Sequence, residues 1–337
     1  MMAFLCTQTG CTMWHPVPFV DHEKKEVPPD LLAYYDYPHG QQKAVILKET
    51  NERGYDFRQV EFPLYLPDEL WTKSRTQWES EVNEIKKTNE KEAKDRSLHY
   101  TNRIDLYLPK KRDKAKPTIV VSPILGGNMV VDVFARFFAR HGFVAAIVHR
   151  KKLQFDGKQD MSQFENYMRA SIIRIREAID WLEVQPEVDS QKMAGFGISY
   201  GAILHTVLAA IEPRLKYHIL AMPAGPIPDV ILKCPDPGVT KVVREAERFG
   251  WKRDQMYADL QAVMKTDPTR FAPYIDKDRV MVFLALFDRV VGMRRTYKLW
   301  KEMGRPKLKV IPLGHYGGLL IFPYLEWVSL RFFNSRF

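Results

Sequence analysis

Residues 192–204 read Lys-Met-Ala-Gly-Phe-Gly-Ile-Ser-Tyr-Gly-Ala-Ile-Leu, and this stretch limits the possible folds more than any other. A short apolar run ends in Gly197-Ile198-Ser199-Tyr200-Gly201, and a helix-like pattern follows over 202–210. Strand, turn and helix meet at one point, the setting in which G-x-S-x-G has a mechanical meaning. The turn must be very tight, which forces the serine at its apex into a strained backbone conformation. The flanking glycines bring no Cβ into the space where the two arms pass. The Ser199 hydroxyl then stands at the carboxyl end of a strand and the amino end of a helix. Free N–H groups and partial positive charge are available there for a developing anion.

The surrounding chain alternates between two periods. The spacing predicts strands at 44–47 and 57–66, with Asn51-Glu52-Arg53-Gly54 as the turn between them and Pro63 arguing for an edge position. Residues 67–96 read as a charged helix with a narrow stripe of Trp71, Trp78, Val82 and Ile85, docked on the domain or offered to a partner. Residues 103–108 alternate as a half-buried strand, 110–117 as a charged hairpin turn, and 118–121 as a strand buried on both faces. Asn128 is placed to cap a helix that buries Val130, Val133, Phe134, Phe137 and Phe138 and stops at His141-Gly142. A strand at 143–148, a long helix over 162–184, the elbow strand and a strand at 218–222 continue the rhythm. This order implies an α/β fold with a mostly parallel central sheet and right-handed crossovers. Residues 223–277 break the pattern with a Pro-rich entry and amphipathic helices near 241–249 and 255–264, read as a helical lid inserted over the active face. Strands at 280–287 and 307–312 and a helix over 324–333 complete the alternation. The domain therefore spans 44–337, and residues 1–43, rich in Pro and aromatics, form an extension that wraps the surface or closes a pocket.

A serine hydroxyl is a poor nucleophile until a base takes its proton and a third group orients that base. Asp288 follows the strand at 280–287, and His315 lies in a glycine-flanked loop, Gly314-His315-Tyr316-Gly317-Gly318, after the last strand. In an open parallel sheet the carboxyl-end loops converge on one crevice, so Ser199, Asp288 and His315 are the candidate triad. Asp288 is also an ordinary turn residue type, His315 is one of nine histidines, and Asp229 is the rival acid. The backbone N–H of Tyr200 is the first expected oxyanion donor. The second is the N–H of Leu125, with that of Gly126 as the near alternative, from the loop Pro123-Ile124-Leu125-Gly126-Gly127. Gly126 and Gly127 are expected to contact substrate.

These residues resemble the α/β-hydrolase superfamily over roughly 44–333, in the chain order Ser199, Asp288, His315. The chain looks most like the esterase and dienelactone-hydrolase-like group, in which cysteine often stands where Ser199 stands here. The resemblance implies about eight strands with helices on both faces and hydrolysis through an acyl-enzyme. Two features depart from the pattern. The oxyanion loop has no His-Gly of the lipase type, and Leu-Ala-Leu-Phe precedes Asp288 where a glycine is common.

Composition narrows the alternatives. The hydrophobic fraction of 45% and charged fraction of 27% are those of a globular protein with a substantial core. The net charge of +10 is spread over short clusters such as Lys110-Lys111-Arg112, Arg150-Lys151-Lys152 and Arg294-Arg295, read as solvated surface rather than a nucleic-acid footprint. Cys6, Cys11 and Cys234 make no disulfide framework, and Cys6 and Cys11 have no His/Cys set around them for a metal. No long uninterrupted apolar stretch and no secretory leader pattern appear, which leads to the expectation of a cytoplasmic protein without a membrane span. The sequence thus leads to a serine hydrolase acting on a small-molecule ester or thioester, without metal or organic cofactor. The alternatives are an acyltransferase or peptidase with the same triad, or a binding protein that keeps the fold without turnover.

Overall fold

The computed structural model describes residues 24–39, 42–153, 155, 157–158, 160–317 and 321–337. Cys6, Cys11 and most of the amino-terminal extension lie outside these residues. Among the described residues, nine strands form one sheet in the order β1-β2-β3-β5-β4-β6-β7-β8-β9. They are β1 Val45–Glu52, β2 Tyr55–Pro63, β3 Thr101–Pro109, β4 Lys116–Ser122, β5 Val144–Val148, β6 Val188–Ile198, β7 Leu215–Ala221, β8 Val280–Ala285 and β9 Lys307–Ile311. Strands β1, β2, β3 and β5 pair antiparallel, and every pairing from β5 through β4 to β9 is parallel. The sheet is therefore one strand larger than the eight expected.

Among the described residues, twelve helices surround it. They are α1 Pro29–Ala33, α2 Arg75–Lys86, α3 Glu90–Ser97, α4 Met129–Arg140, α5 Ser162–Glu183, α6 Tyr200–Ile211, α7 Ile227–Lys233, α8 Pro237–Arg248, α9 Arg253–Val263, α10 Pro268–Phe271, α11 Met293–Glu302 and α12 Phe322–Asn334. None among the described residues is long and apolar enough to cross a membrane.

The central parallel strands are buried over most of their length and their side chains alternate between two cores, whereas the edge strand β9 leaves Lys307 and Val310 exposed. On β4, Val120 joins one core while Ile119 and Val121 join the other; on β5, Val144 and Ala146 oppose Ala145 and Ile147. The first core is closed by α5, α6 and the lid helices, the second by α4 and α12. Strands β5 and β8 are buried at every residue and the ends of β4, β6 and β7 nearly so, which is why these segments read as short continuous apolar runs.

Several local expectations change. Residues 110–115 do not turn a hairpin: β3 pairs with β5, and β4 inserts on the far side of β5. The connection carries the chain across a strand laid down later, which no local pattern announces. Pro63 is not on an edge strand, since β1 flanks β2, but it is the last residue of β2 and β1 stops pairing at Glu61. Strand β3 is buried throughout, not half-buried. Its polar residues are paired instead: Asn102 donates to the Arg174 carbonyl at 2.7 Å, Arg103 to Glu61 at 2.9 Å, and Asp105 accepts from Gln59 at 2.6 Å. The charged segment 67–96 breaks into α2 and α3, with Ser74 and Gln77 forming a capping box and Asn89 capping the second helix. Asn128 makes no side-chain cap on α4, and Val133 faces outward at 38% exposure.

The described part of the extension lies on α5 and the end of the lid. Tyr35 donates to Thr266 at 2.9 Å, Tyr34 to Glu165 at 2.9 Å and Tyr37 to Asp180 at 2.8 Å. Residues 223–277 carry four helices, α7 to α10, rather than the two expected.

Burial has a pH consequence. His218 on β7 is buried, and desolvation pushes its pKa down to about 3, against partial compensation from the Leu215 backbone. His99, stacked on Trp78 at 3.9 Å, is pushed down to about 3 by the same cause. A histidine held neutral in the fold takes up a proton on unfolding, so its stabilising contribution is complete above pH 6.5 and is lost as pH falls toward 3. Glu177, buried and raised to about 8, acts in the opposite sense between pH 4.5 and 8, so the comparison must be between variants. Urea unfolding of wild type and His218→Leu should show that the substitution removes about 1.4 kcal/mol per pH unit of acid-side slope below pH 6.5. Identical slopes would show that His218 is not held neutral.

Candidate active site

The turn after β6 puts Ser199 at φ 55° and ψ −117°, a positive φ at a non-glycine residue. Such strain persists only where neighbouring structure over-determines it. Ser199 donates its N–H to the Ala221 carbonyl at 2.8 Å and accepts from the Ile203 N–H at 3.0 Å. The glycines are sterically required. A Cβ at Gly197 would lie 2.3 Å from the Gly201 carbonyl group, and one at Gly201 would lie 2.3 Å from the Ser122 oxygen. The nucleophile loop is therefore clamped between β4, β7 and its own helix.

Two further loops are tied to each other at the same rim. The Leu286 N–H bonds the Ile311 carbonyl at 2.9 Å, and the Phe287 N–H bonds the Leu313 carbonyl at 3.1 Å. This extends the β8–β9 pairing by two bonds and brings Asp288 beside His315. Asp288 is buried, and its Oδ1 accepts from the backbone N–H of Val290 at 2.8 Å and of Val291 at 3.1 Å. Its other oxygen, Oδ2, lies 2.8 Å from His315 Nδ1, and His315 Nε2 lies 3.1 Å from Ser199 Oγ. The three expected residues meet in the order that lets the carboxylate set the imidazole tautomer and the imidazole face the hydroxyl. Asp229, the rival acid, lies on α7 and pairs with Lys233.

Tyr200 is the first residue of α6, so its N–H has no partner within the helix. Across the crevice the loop after β4 is folded on itself: Gly127 has φ 110° and donates to the Ile124 carbonyl at 3.1 Å. Leu125 and Gly126 line the cavity above Ser199. Gly127 is not among the lining residues; its left-handed conformation turns the loop that carries Leu125 and Gly126. Asn128 points its side-chain amide at the His149 ring, 3.2 Å away.

The cavity holds about 510 Å³ and draws its walls from both faces of the sheet and from the lid. The sequence reading missed Arg150, taken as solvated surface. Its Nε donates to the Ile124 carbonyl at 3.0 Å and one terminal nitrogen to Tyr167 Oη at 3.1 Å, so it braces the loop that carries Leu125. A cation two residues past the end of a buried strand was the available signal. Sequence reading also missed the bond from Tyr316 Oη to Asp236 Oδ2, 2.8 Å, which joins the His315 loop to the lid.

The family model for X-Pro dipeptidyl-peptidase (S15 family) matches residues 59–231. That span covers just over half of the chain, so the chain belongs to the S15 family and is a serine hydrolase of α/β-hydrolase fold. An uncharacterized protein YdjC of Bacillus subtilis (strain 168) is 31% identical over 71 residues, 21% of this chain, and the match spans 61% of that protein's length. Among solved structures, acetyl xylan esterase from Paenibacillus sp. R4 superposes with a TM-score of 0.65 at 13% identity, covering 94% of this chain and 96% of its own. Acetyl xylan esterase 1 from Thermoanaerobacterium sp. JW/SL YS485 gives 0.60 at 14% identity, covering 91% and 96%. Both likenesses are of fold.

The clash geometry yields a direct expectation. Gly201→Ala should cost about 1–3 kcal/mol in urea unfolding, because backbone rather than a flexible side chain must give way. A variant as stable as wild type would mean that the elbow relaxes more freely than its packing indicates.

Proposed function

We propose that the chain hydrolyses a carboxylic ester or thioester through an acyl-enzyme on Ser199. The observation that carries this reading is the continuous relay from Asp288 Oδ2 through His315 to Ser199 Oγ, at 2.8 and 3.1 Å. His315 Nε2 takes the hydroxyl proton as Oγ attacks the acyl carbon, and Asp288 stabilises the imidazolium that forms. The N–H groups of Tyr200 and Leu125 receive the oxyanion, a contribution of several kcal/mol in sites of this kind. His315 then gives its proton to the departing alcohol or thiol. Water, deprotonated by His315, attacks the acyl-enzyme and releases the acid, returning the proton to Ser199.

The esterase names of the structural relatives agree with this chemistry, whereas the family's name favours a second reading, cleavage of a peptide amide by the same relay. Transfer of the acyl group to an acceptor other than water would use the same residues.

A fluorophosphonate probe should label wild type and not Ser199→Ala, read by intact-protein mass. Labelling that survives the substitution would remove Ser199 as nucleophile. Asp288→Asn should lower kcat toward simple aryl esters by about four orders of magnitude, because the imidazole would be held in the wrong tautomer. A loss below tenfold would argue that Asp288 does not orient His315. Parallel assays on a matched ester and amide would separate the esterase from the peptidase reading.

A further inference from the structure

Among the described residues, the basic and acidic side chains that line the chamber over Ser199 are Arg150, Lys152, Asp236 and His315. Three of them have compensation at hand. His315 faces Asp288 at 2.8 Å, and Lys152 pairs with Asp95 at 2.7 Å. Asp236 caps the amino end of α8, accepting from the Gly238 N–H at 2.9 Å and the Val239 N–H at 3.4 Å. The partial positive charge of that helix end lies against its carboxylate.

Arg150 is the exception. Its Nε donates to the Ile124 carbonyl at 3.0 Å, and its Nη1 to the Lys151 carbonyl at 3.4 Å and to Tyr167 Oη at 3.1 Å. All three acceptors are neutral, and a guanidinium keeps its charge across the working pH range. Nη2, which carries two N–H groups, has no acceptor among the described residues. A half-buried cation held only by neutral groups is where an anionic substrate group best replaces the water it gives up.

Arg150 is also tied to the reacting centre by two routes. The carbonyl it holds belongs to the same peptide unit as the Leu125 N–H. The phenol it touches, Tyr167, stacks at 5.8 Å on Tyr200, the residue after the nucleophile. The amino ends of α4 and α6 follow strands at this rim and add a field of the same sign. We propose that the substrate is an ester bearing a carboxylate on a short chain, the carboxylate taken by Arg150 Nη2 while the ester carbonyl lies at Ser199. This rests on the triad reading given above and names its substrate class. One end of the guanidinium braces the loop, and the other reads the substrate.

The test assays the full chain on paired substrates that differ only in charge. On the acyl side, monoethyl succinate, glutarate and adipate are set against the same ethyl esters with a primary amide in place of the carboxylate. On the alcohol side, the acetate esters of glycolate and β-hydroxypropionate are set against their amides. In at least one pair, kcat/KM of wild type should favour the carboxylate by about ten- to a hundredfold, as a hydrogen bond to a charged group allows. Arg150→Gln should bring that ratio to parity, and Arg150→Lys should retain part of it. Loss of the brace on Ile124 slows both members of a pair, so the ratio reports the charge contact alone. Lys152→Gln removes a more exposed lining cation and should leave the ratio within about twofold of wild type. Calorimetry on Ser199→Ala gives a readout without turnover: it should bind the best half-ester more tightly than its amide, and Ser199→Ala/Arg150→Gln should bind the two alike.

A wild-type ratio at or below parity in every pair would overturn the proposal. So would an Arg150→Gln variant that keeps the wild-type preference, or a Lys152→Gln variant that abolishes it. Fluorophosphonate labelling of wild type alongside any of these results would leave the triad standing and remove the carboxylate assignment alone. If wild type neither labels nor turns over any ester, calorimetry separates the two readings. Preference for the carboxylate would then keep Arg150 as an anion site and remove the triad, and equal binding would remove both.

Discussion

The conformation of Ser199 is the constraint from which the rest of the site follows. A non-glycine residue at φ 55° is held there by β7 on one side, α6 on the other and the Ser122 backbone pressed against Gly201. None of these contacts is local in sequence except that with α6. The elbow therefore exists only when β4, β6 and β7 are already paired, and the nucleophile is formed by the same cooperative event that closes the sheet.

The second consequence is alignment. Because β8 and β9 continue beyond their regular pairing through two backbone bonds, the loops bearing Asp288 and His315 are not independent. Asp288 spends one oxygen on two N–H groups of its own loop and offers the other to His315, so its carboxylate has no freedom left to rotate. Positioning is achieved with backbone donors rather than long side chains, which keeps the conformational entropy loss at the site small.

The chamber is a property of the two-sided sheet. Each parallel strand sends alternate side chains into separate cores, and only at the carboxyl rim, where strands end and helices begin, do the two apolar environments become continuous. Residues of α7 and α8 line one side of that opening, and the Tyr316–Asp236 bond ties the start of α8 to the residue next to His315. Arg150 braces the opposite wall, where its guanidinium replaces water on the Ile124 carbonyl.

Local chemistry was enough to read the elbow, the alternation of strands and helices, and the three candidate side chains. Each depends on a short-range rule: glycine where Cβ has no room, an apolar run where both faces are buried, a polar residue just past a strand's end. What the tertiary structure alone decided was the partner of β3, the burial of Asn102, Arg103 and Asp105, the turning role of Gly127, the bracing role of Arg150 and the meeting of both cores at one cavity. Asp105 and Arg150 are ordinary charged residues in any sequence window. They differ from surface residues only through groups many positions away that replace their water, such as Gln59, the Ile124 carbonyl and Tyr167. Desolvation and strand order are long-range quantities, set by which surfaces come together, and no local period carries them.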